Sequence, residues 1–157
     1  MSFLLDASDW SELNERFSEY LAYLRSIQHR LAPGAYAFAS APWHYDVQDP
    51  RCPHDAWVES VTLTESGAGE RHQDRHLDIY VRLLGAYHDG HIELRYSNVA
   101  SYSFDGPSLQ RGHDDWLRDE VRLSDDGFAL HEVVFASGSH WTICCADLHY
   151  NWNPFMT

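Results

Sequence analysis

The chain has 157 residues, twenty-four of them acidic against eleven arginines and no lysine, for a formal net charge of −13. The lack of lysine excludes a Schiff-base lysine, a Walker-type phosphate lysine and a lysine general base. A surface this acidic repels nucleic acid and anionic membranes and attracts basic partners.

A hydrophobic fraction of 44% and an aromatic fraction of 14% support a packed core despite the charge. No stretch approaches the ~18 consecutive apolar residues of a membrane span. The segment Met1 to Trp10 has no basic region and carries Asp6 and Asp9, so a secretory signal is not expected. The three cysteines, Cys52, Cys144 and Cys145, read as free thiols. The expected location is the cytoplasm.

Asp9 with Glu12 forms a capping-box pattern. Trp10, Leu13, Phe17, Tyr20, Leu21, Leu24, Ile27 and Leu31 then recur at three- and four-residue spacings. This predicts one long amphipathic helix over 9–32, stopped by Pro33-Gly34. Residues 33–56 read as an irregular connector punctuated by Pro42, Pro50 and Pro53. Within it, 35–41 reads equally as a short helix or an extended piece. The connector also carries Trp43, His44, Tyr45, Asp46, Cys52, His54 and Asp55.

From Trp57 the apolar period changes to two, so the expected sheet spans 57–152. Val61 and Leu63 alternate with Thr62 and Thr64, and a Gly-rich turn is expected at 66–69. Leu77, Ile79, Val81 and Leu83 share one face, with His76, Asp78, Tyr80 and Arg82 on the other. Asp89-Gly90 signals a hairpin. After it, Ile92, Leu94 and Tyr96 point inward and His91, Glu93 and Arg95 outward. A weaker strand is expected over 99–104 and a loop over 105–115. Strands follow over 116–123, 128–135 and 141–152, the last with Cys144, Ala146, Leu148, Tyr150 and Trp152 on one face. The pattern predicts an α+β fold in a single domain over 1–157. A long N-terminal amphipathic helix packs on an antiparallel β-meander of six to seven strands. A sandwich with the helix at one edge is the competing arrangement.

Eleven histidines invite a metal reading. His72 and His76 have the spacing of a helical ligand pair but lie where a loop becomes a strand; His88 and His91 flank a turn. No Cys-x-x-Cys, His-Glu-x-x-His or calcium-loop pattern is present, and turn or solvent histidines are the simpler reading. The carboxylate pairs Asp114-Asp115, Asp119-Glu120 and Asp125-Asp126 do not by adjacency form a glycosidase pair. No Gly-x-Ser-x-Gly elbow occurs. Cys145 and His149 would lie about 13 Å apart along a strand, too far for a thiolate–imidazole pair. The outward face bearing Asp78, Tyr80, Arg82, His91, Glu93 and Arg95 reads either as cross-strand charge pairing or as a binding face with tyrosine and arginine anchors.

Three stretches, His54-Asp55-Ala56-Trp57-Val58-Glu59-Ser60-Val61, Leu83 to Leu94, and Asp115 to Val121, follow a helix in the order seen here. Over roughly 54–152 the chain resembles small uncharacterised bacterial helix-plus-antiparallel-sheet proteins, some of which look like immunity proteins of polymorphic toxin systems. The resemblance supplies no active site. His54 and Asp55 stand out because two polar residues directly precede a strand.

The expected function is that of a non-enzymatic acidic binding protein of the immunity type, with a basic protein partner and neither nucleic acid nor membrane. No catalytic residue, metal ligand or cofactor is assigned. The expected binding residues are His54, Asp55, Asp78, Tyr80, Arg82, His91, Glu93 and Arg95. One alternative is a metal-dependent hydrolase using a subset of His54, Asp55, His72, His76, His88 and His91. The other is a structural or assembly protein, in which an edge strand such as 99–104 pairs copies into a homo-oligomer.

Overall fold

The structure is a computed structural model that describes residues 2–107 and 109–156. Helix α1 spans Trp10–Ile27. The Asp9 carboxylate accepts from the Glu12 backbone N–H at 2.8 Å, capping its first turn. Tyr20, Leu24 and Ile27 are buried, whereas Trp10 is exposed. The helix is therefore shorter than the expected 9–32. Gln28 is its C-cap, and Leu31 is buried from a turn beyond it.

Pro33 does not end that helix but begins the next. Helix α2 spans Pro33–Ser40, inside the expected connector, with Pro33 in its first turn. There a proline's missing N–H costs nothing and its fixed φ already suits the helix. Ala32 offers no side-chain cap. The Asp147 carboxylate does so from across the fold, accepting from the N–H groups of Ala35 at 2.9 Å and Gly34 at 3.3 Å.

Gly34 is needed for this approach, because a Cβ there would sit 2.5 Å from the Leu148 carbonyl oxygen. Gly34→Ala is expected to lower the unfolding free energy by about 1–3 kcal/mol, as overpacking does. Urea denaturation checks this. An unchanged midpoint would mean that α2 lifts off the sheet without cost.

Among the described residues seven strands follow: β1 Trp57–Ala68, β2 Asp74–Leu84, β3 Gly90–Asp105, β4 Gln110–His113, β5 Trp116–Leu123, β6 Ala129–Phe135 and β7 His140–Pro154. Six of them form one antiparallel sheet in the order β1-β2-β3-β7-β6-β5. The topology is not the simple meander expected. Two three-stranded meanders are joined where β3 pairs with β7 over most of their length. The expected separate strand over 99–104 is the far half of β3, and β4 occupies part of the expected loop. The glycine-rich turn begins later than expected, since β1 runs through Gly67 to Ala68.

The predicted alternation is seen in β2 and β3, where Ile79, Val81, Leu83, Ile92, Leu94 and Tyr96 are buried. It fails in β1, where Leu63 is exposed, because β1 is an edge strand. It also slips in β7. Trp141, Ile143 and Cys145 are buried, and so is Leu148 three residues on. Cys144, expected to share a face with Leu148, is therefore only half-buried, and Cys145 takes the core position. A bulge between Val99 and Ser101 in β3 accompanies the slip.

The segment just ahead of one edge strand reaches the start of the other. Just ahead of β1, the Asp55 N–H donates to the Trp116 carbonyl at 2.8 Å. The Trp116 N–H donates to the Ala56 carbonyl at 3.0 Å. Trp116 begins β5, the opposite edge. Farther along β5, helix α1 covers the free edge. The Tyr20 hydroxyl donates to the Val121 carbonyl and accepts from its N–H, both at 2.8 Å. The Tyr23 hydroxyl accepts from the Leu123 N–H at 2.8 Å. Satisfying these groups removes an exposed pairing template.

Candidate functional site

The most organised chemistry lies where the connector meets the inner face of β5 and β6. A run of tight turns carries the chain from α2 to β1, with Asp46 and Asp49 each accepting from the N–H two residues ahead. This run places His44 under α2, fully buried. Its Nε2 lies 2.9 Å from Asp119 Oδ2, and its Nδ1 lies 2.7 Å from the Phe38 carbonyl oxygen. On the other side, His131 Nε2 lies 2.8 Å from Asp119 Oδ2 and its Nδ1 2.8 Å from the Tyr96 hydroxyl. The Trp116 indole N–H also reaches Asp119, at 3.3 Å.

The partners assign the hydrogen-bond roles. His44 faces an oxygen acceptor at each ring nitrogen, the Phe38 carbonyl and the Asp119 carboxylate. His131 donates through Nε2 and accepts at Nδ1 from the Tyr96 hydroxyl. Burial opposes the charge on Asp119, but His44 and His131 outweigh it and hold the carboxyl well below its ordinary value of 3.8. As placed, both ring nitrogens of each histidine are engaged within the network. Cys52 adds no nucleophile. Its thiol donates to the His44 carbonyl at 3.0 Å, and burial pushes it up to about 12.

Asp119 and Glu120 point to opposite sides of β5. Glu120 is buried and accepts from the N–H groups of Phe3 at 2.9 Å and Leu4 at 3.0 Å. The two carboxylates share no cleft, as a glycosidase pair must.

Above the His44–Asp119 pair lies a cavity of about 250 Å³. Leu13 and Phe17 of α1, Val47 and Tyr45 of the connector, and Trp116 and Leu117 of β5 form its apolar walls. Exposed Trp10 and Asn14 and half-buried Arg118 complete the lining.

The expected binding residues divide between two places. His54 and Asp55 lie at the corner where the segment ahead of β1 reaches the start of β5. His54 Nδ1 is 2.8 Å from the Leu117 carbonyl oxygen, and its Nε2 is 3.4 Å from the Asp55 carboxylate. Asp55 adopts the left-handed φ of 67°. The other six lie on the outer face of β2 and β3, around a shallow recess of about 410 Å³ lined by Tyr80, Arg82, Glu93 and Arg95 with His149 of β7. There the charges pair diagonally rather than straight across. Arg82 stands opposite Glu93 in register, yet its guanidinium lies 3.3 Å from Glu59, which also holds His91 at 2.7 Å. Arg95 reaches Asp78 at 3.3 Å and lies over the Tyr80 ring. The outer face is thus largely charge-balanced.

The corner is different. Trp57, 46% exposed, donates its indole N–H to Asp115 at 2.6 Å and packs on the His88 ring, 4.6 Å between centroids. Asp55 precedes it by two residues and Asp114 accepts from the Asp115 N–H at 2.9 Å, both aspartates in left-handed conformations. Among the described residues, no arginine forms an ion pair with Asp55, Asp114 or Asp115; Arg16, Arg51, Arg82, Arg95 and Arg122 are engaged with other carboxylates.

The six positions of the metal-hydrolase alternative are dispersed. His72 sits in the β1–β2 turn, His76 bonds Ser66, His88 packs on Trp57, His91 bonds Glu59, and His54 and Asp55 occupy the corner. Among the described residues, no three His, Cys, Asp or Glu side chains gather to hold a metal ion.

The reading by residue type passed over the buried network, although two signals mark it. His131 stands on the inward phase of β6 between Ala129 and Val133, and Asp119 stands two residues from Leu117 and Val121 in β5. A polar residue on a buried phase needs a buried partner. Compared with known proteins, the chain matches no family model, no curated protein and no solved structure.

Proposed function

We propose that this chain is a binding protein of the immunity type that takes up a basic protein partner at the Trp57 corner. The observation that supports it is an exposed aromatic side chain, held in place by Asp115 and His88, near carboxylates that form no ion pair with an arginine among the described residues. Aromatic anchors dominate interface energetics, and a pre-positioned one loses little entropy on binding. The net charge of −13 supplies the long-range field. A basic partner would be steered to the corner and then anchored on Trp57.

The test has two parts. Proteins captured from the native cell at low salt are identified, and any toxin encoded beside this chain is tested for neutralisation by it. Association of a captured basic partner is then followed as salt rises. Steering by exposed charge predicts an association rate that falls with ionic strength, with dissociation changing little. Asp114→Arg should reproduce the loss at low salt. It is a cleaner reversal than Asp115→Arg, because Asp115 also holds the Trp57 indole. An association rate indifferent to salt and to Asp114→Arg would sink the reading.

A further inference from the structure

We propose that the cavity between α1 and β5 is a binding site for a small amphipathic carboxylate, with its apolar tail inside and its head on Arg118. This goes beyond the protein-binding reading and rests on different residues.

The walls decide the tail. Leu13, Phe17, Val47, Trp116 and Leu117 are apolar, and the volume of about 250 Å³ lies just below the range of drug-sized pockets. A short aliphatic or single-ring tail suits that space. The floor takes no head group. The Asp119 oxygens are filled by His44, His131 and Trp116, and both His44 nitrogens are occupied. A polar group pushed to the floor would be desolvated without gaining a partner.

The polar lining decides the head. Arg118 lines the cavity half-buried, and among the described residues its guanidinium has one partner, the Ala7 carbonyl oxygen. A guanidinium carries five N–H donors, so most remain for a ligand. Asn14 also lines the cavity, and no side-chain partner of Asn14 occurs among the described residues. Donors lining an apolar chamber match a carboxylate, which takes a guanidinium through two parallel hydrogen bonds. The overall charge of −13 opposes any anion. Exposed charges more than about 8–10 Å away are screened at physiological salt, whereas contact with Arg118 is not.

That opposition makes the proposal testable, because non-specific attraction to this protein favours cations. Octanoate, octylammonium and octanol share one tail and differ in the head. Their binding is measured by calorimetry on the full chain, and the site is located by amide shifts around Trp10 and Leu13. Octanoate is expected to bind one per chain and more tightly than octylammonium. Arg118→Met should weaken octanoate by about tenfold or more, the scale of a charge-assisted pair, and leave octanol unchanged. Leu13→Trp, which fills the chamber without touching Arg118, should abolish binding of both, so the proposal remains testable if Arg118→Met fails to fold. Failure of octanoate to bind, octylammonium binding as tightly as octanoate, or octanoate affinity surviving in either variant would overturn it. Because Trp57, Asp55 and Asp114 do not line this chamber, loss of partner binding at the corner leaves this outcome unaffected.

Discussion

Asp119→Ala is expected to remove about 3–5 kcal/mol of stability, the usual cost of breaking a buried, hydrogen-bonded pair by deleting one partner. Domains of this size are commonly stable by only about 5–15 kcal/mol, so the variant should be partly unfolded under mild denaturant. The size follows from what the carboxylate holds. Its removal strands the donating nitrogens of His44 and His131 and the Trp116 indole in a buried space. It also frees the connector that bears His44. Urea denaturation of both proteins measures the loss. A difference under about 1 kcal/mol would mean that water or a rearranged ring replaces the carboxylate.

The same residue sets the acid limb of the stability curve. A carboxyl held well below 3.8 in the folded chain contributes stability that is whole above that pH and is lost as pH falls below it. Glu120 acts with the opposite sign. Burial raises its carboxyl above 4.5, so its ionisation opposes folding as pH rises past that value. Asp119→Ala should therefore flatten the loss of stability below about pH 4 and leave the part of the Glu120 contribution that burial causes, while removing the part due to the Asp119 charge.

Trp57→Ala is expected to weaken the basic partner by about 2 kcal/mol or more, the threshold of an interface hot spot, or roughly thirtyfold in Kd. The loss should appear in the dissociation rate, because truncating an anchor removes short-range contact and leaves the field intact. Asp114→Arg should do the reverse, slowing association. Stability of Trp57→Ala should change little, since the side chain is almost half exposed. Surface plasmon resonance separates the two rates. A Trp57→Ala variant with wild-type dissociation would move the interface away from the corner.

Much of the local structure was legible in the chain itself. Strands β2 and β3 follow from strict alternation, because one face of each is buried and the other is wet. The N-terminus of α1 follows from Asp9. The C-terminus does not, because Pro33 carries two meanings, helix stop and helix start, and local signals cannot choose between them. The choice is made by Asp147, which caps α2 from β7, over a hundred positions away in sequence.

The candidate sites divide in the same way. The outer face of β2 and β3 could be read from period two, since residues two apart share a face wherever the strand lies. The corner, the cavity and the buried network could not. His44, Tyr96, Asp119 and His131 come from four separate elements, and only the pairing of β3 with β7 and the packing of α2 bring them together. By itself, then, the sequence determined composition, charge, most of the helical and strand segments and which strand faces are wet, because these depend on residue identity and short-range periodicity. The tertiary structure alone decided strand order, the closure that joins Asp55 to Trp116, and the enclosure of a histidine-bridged carboxylate beneath a small chamber. Those depend on contacts between distant segments, whose free energy no local pattern records.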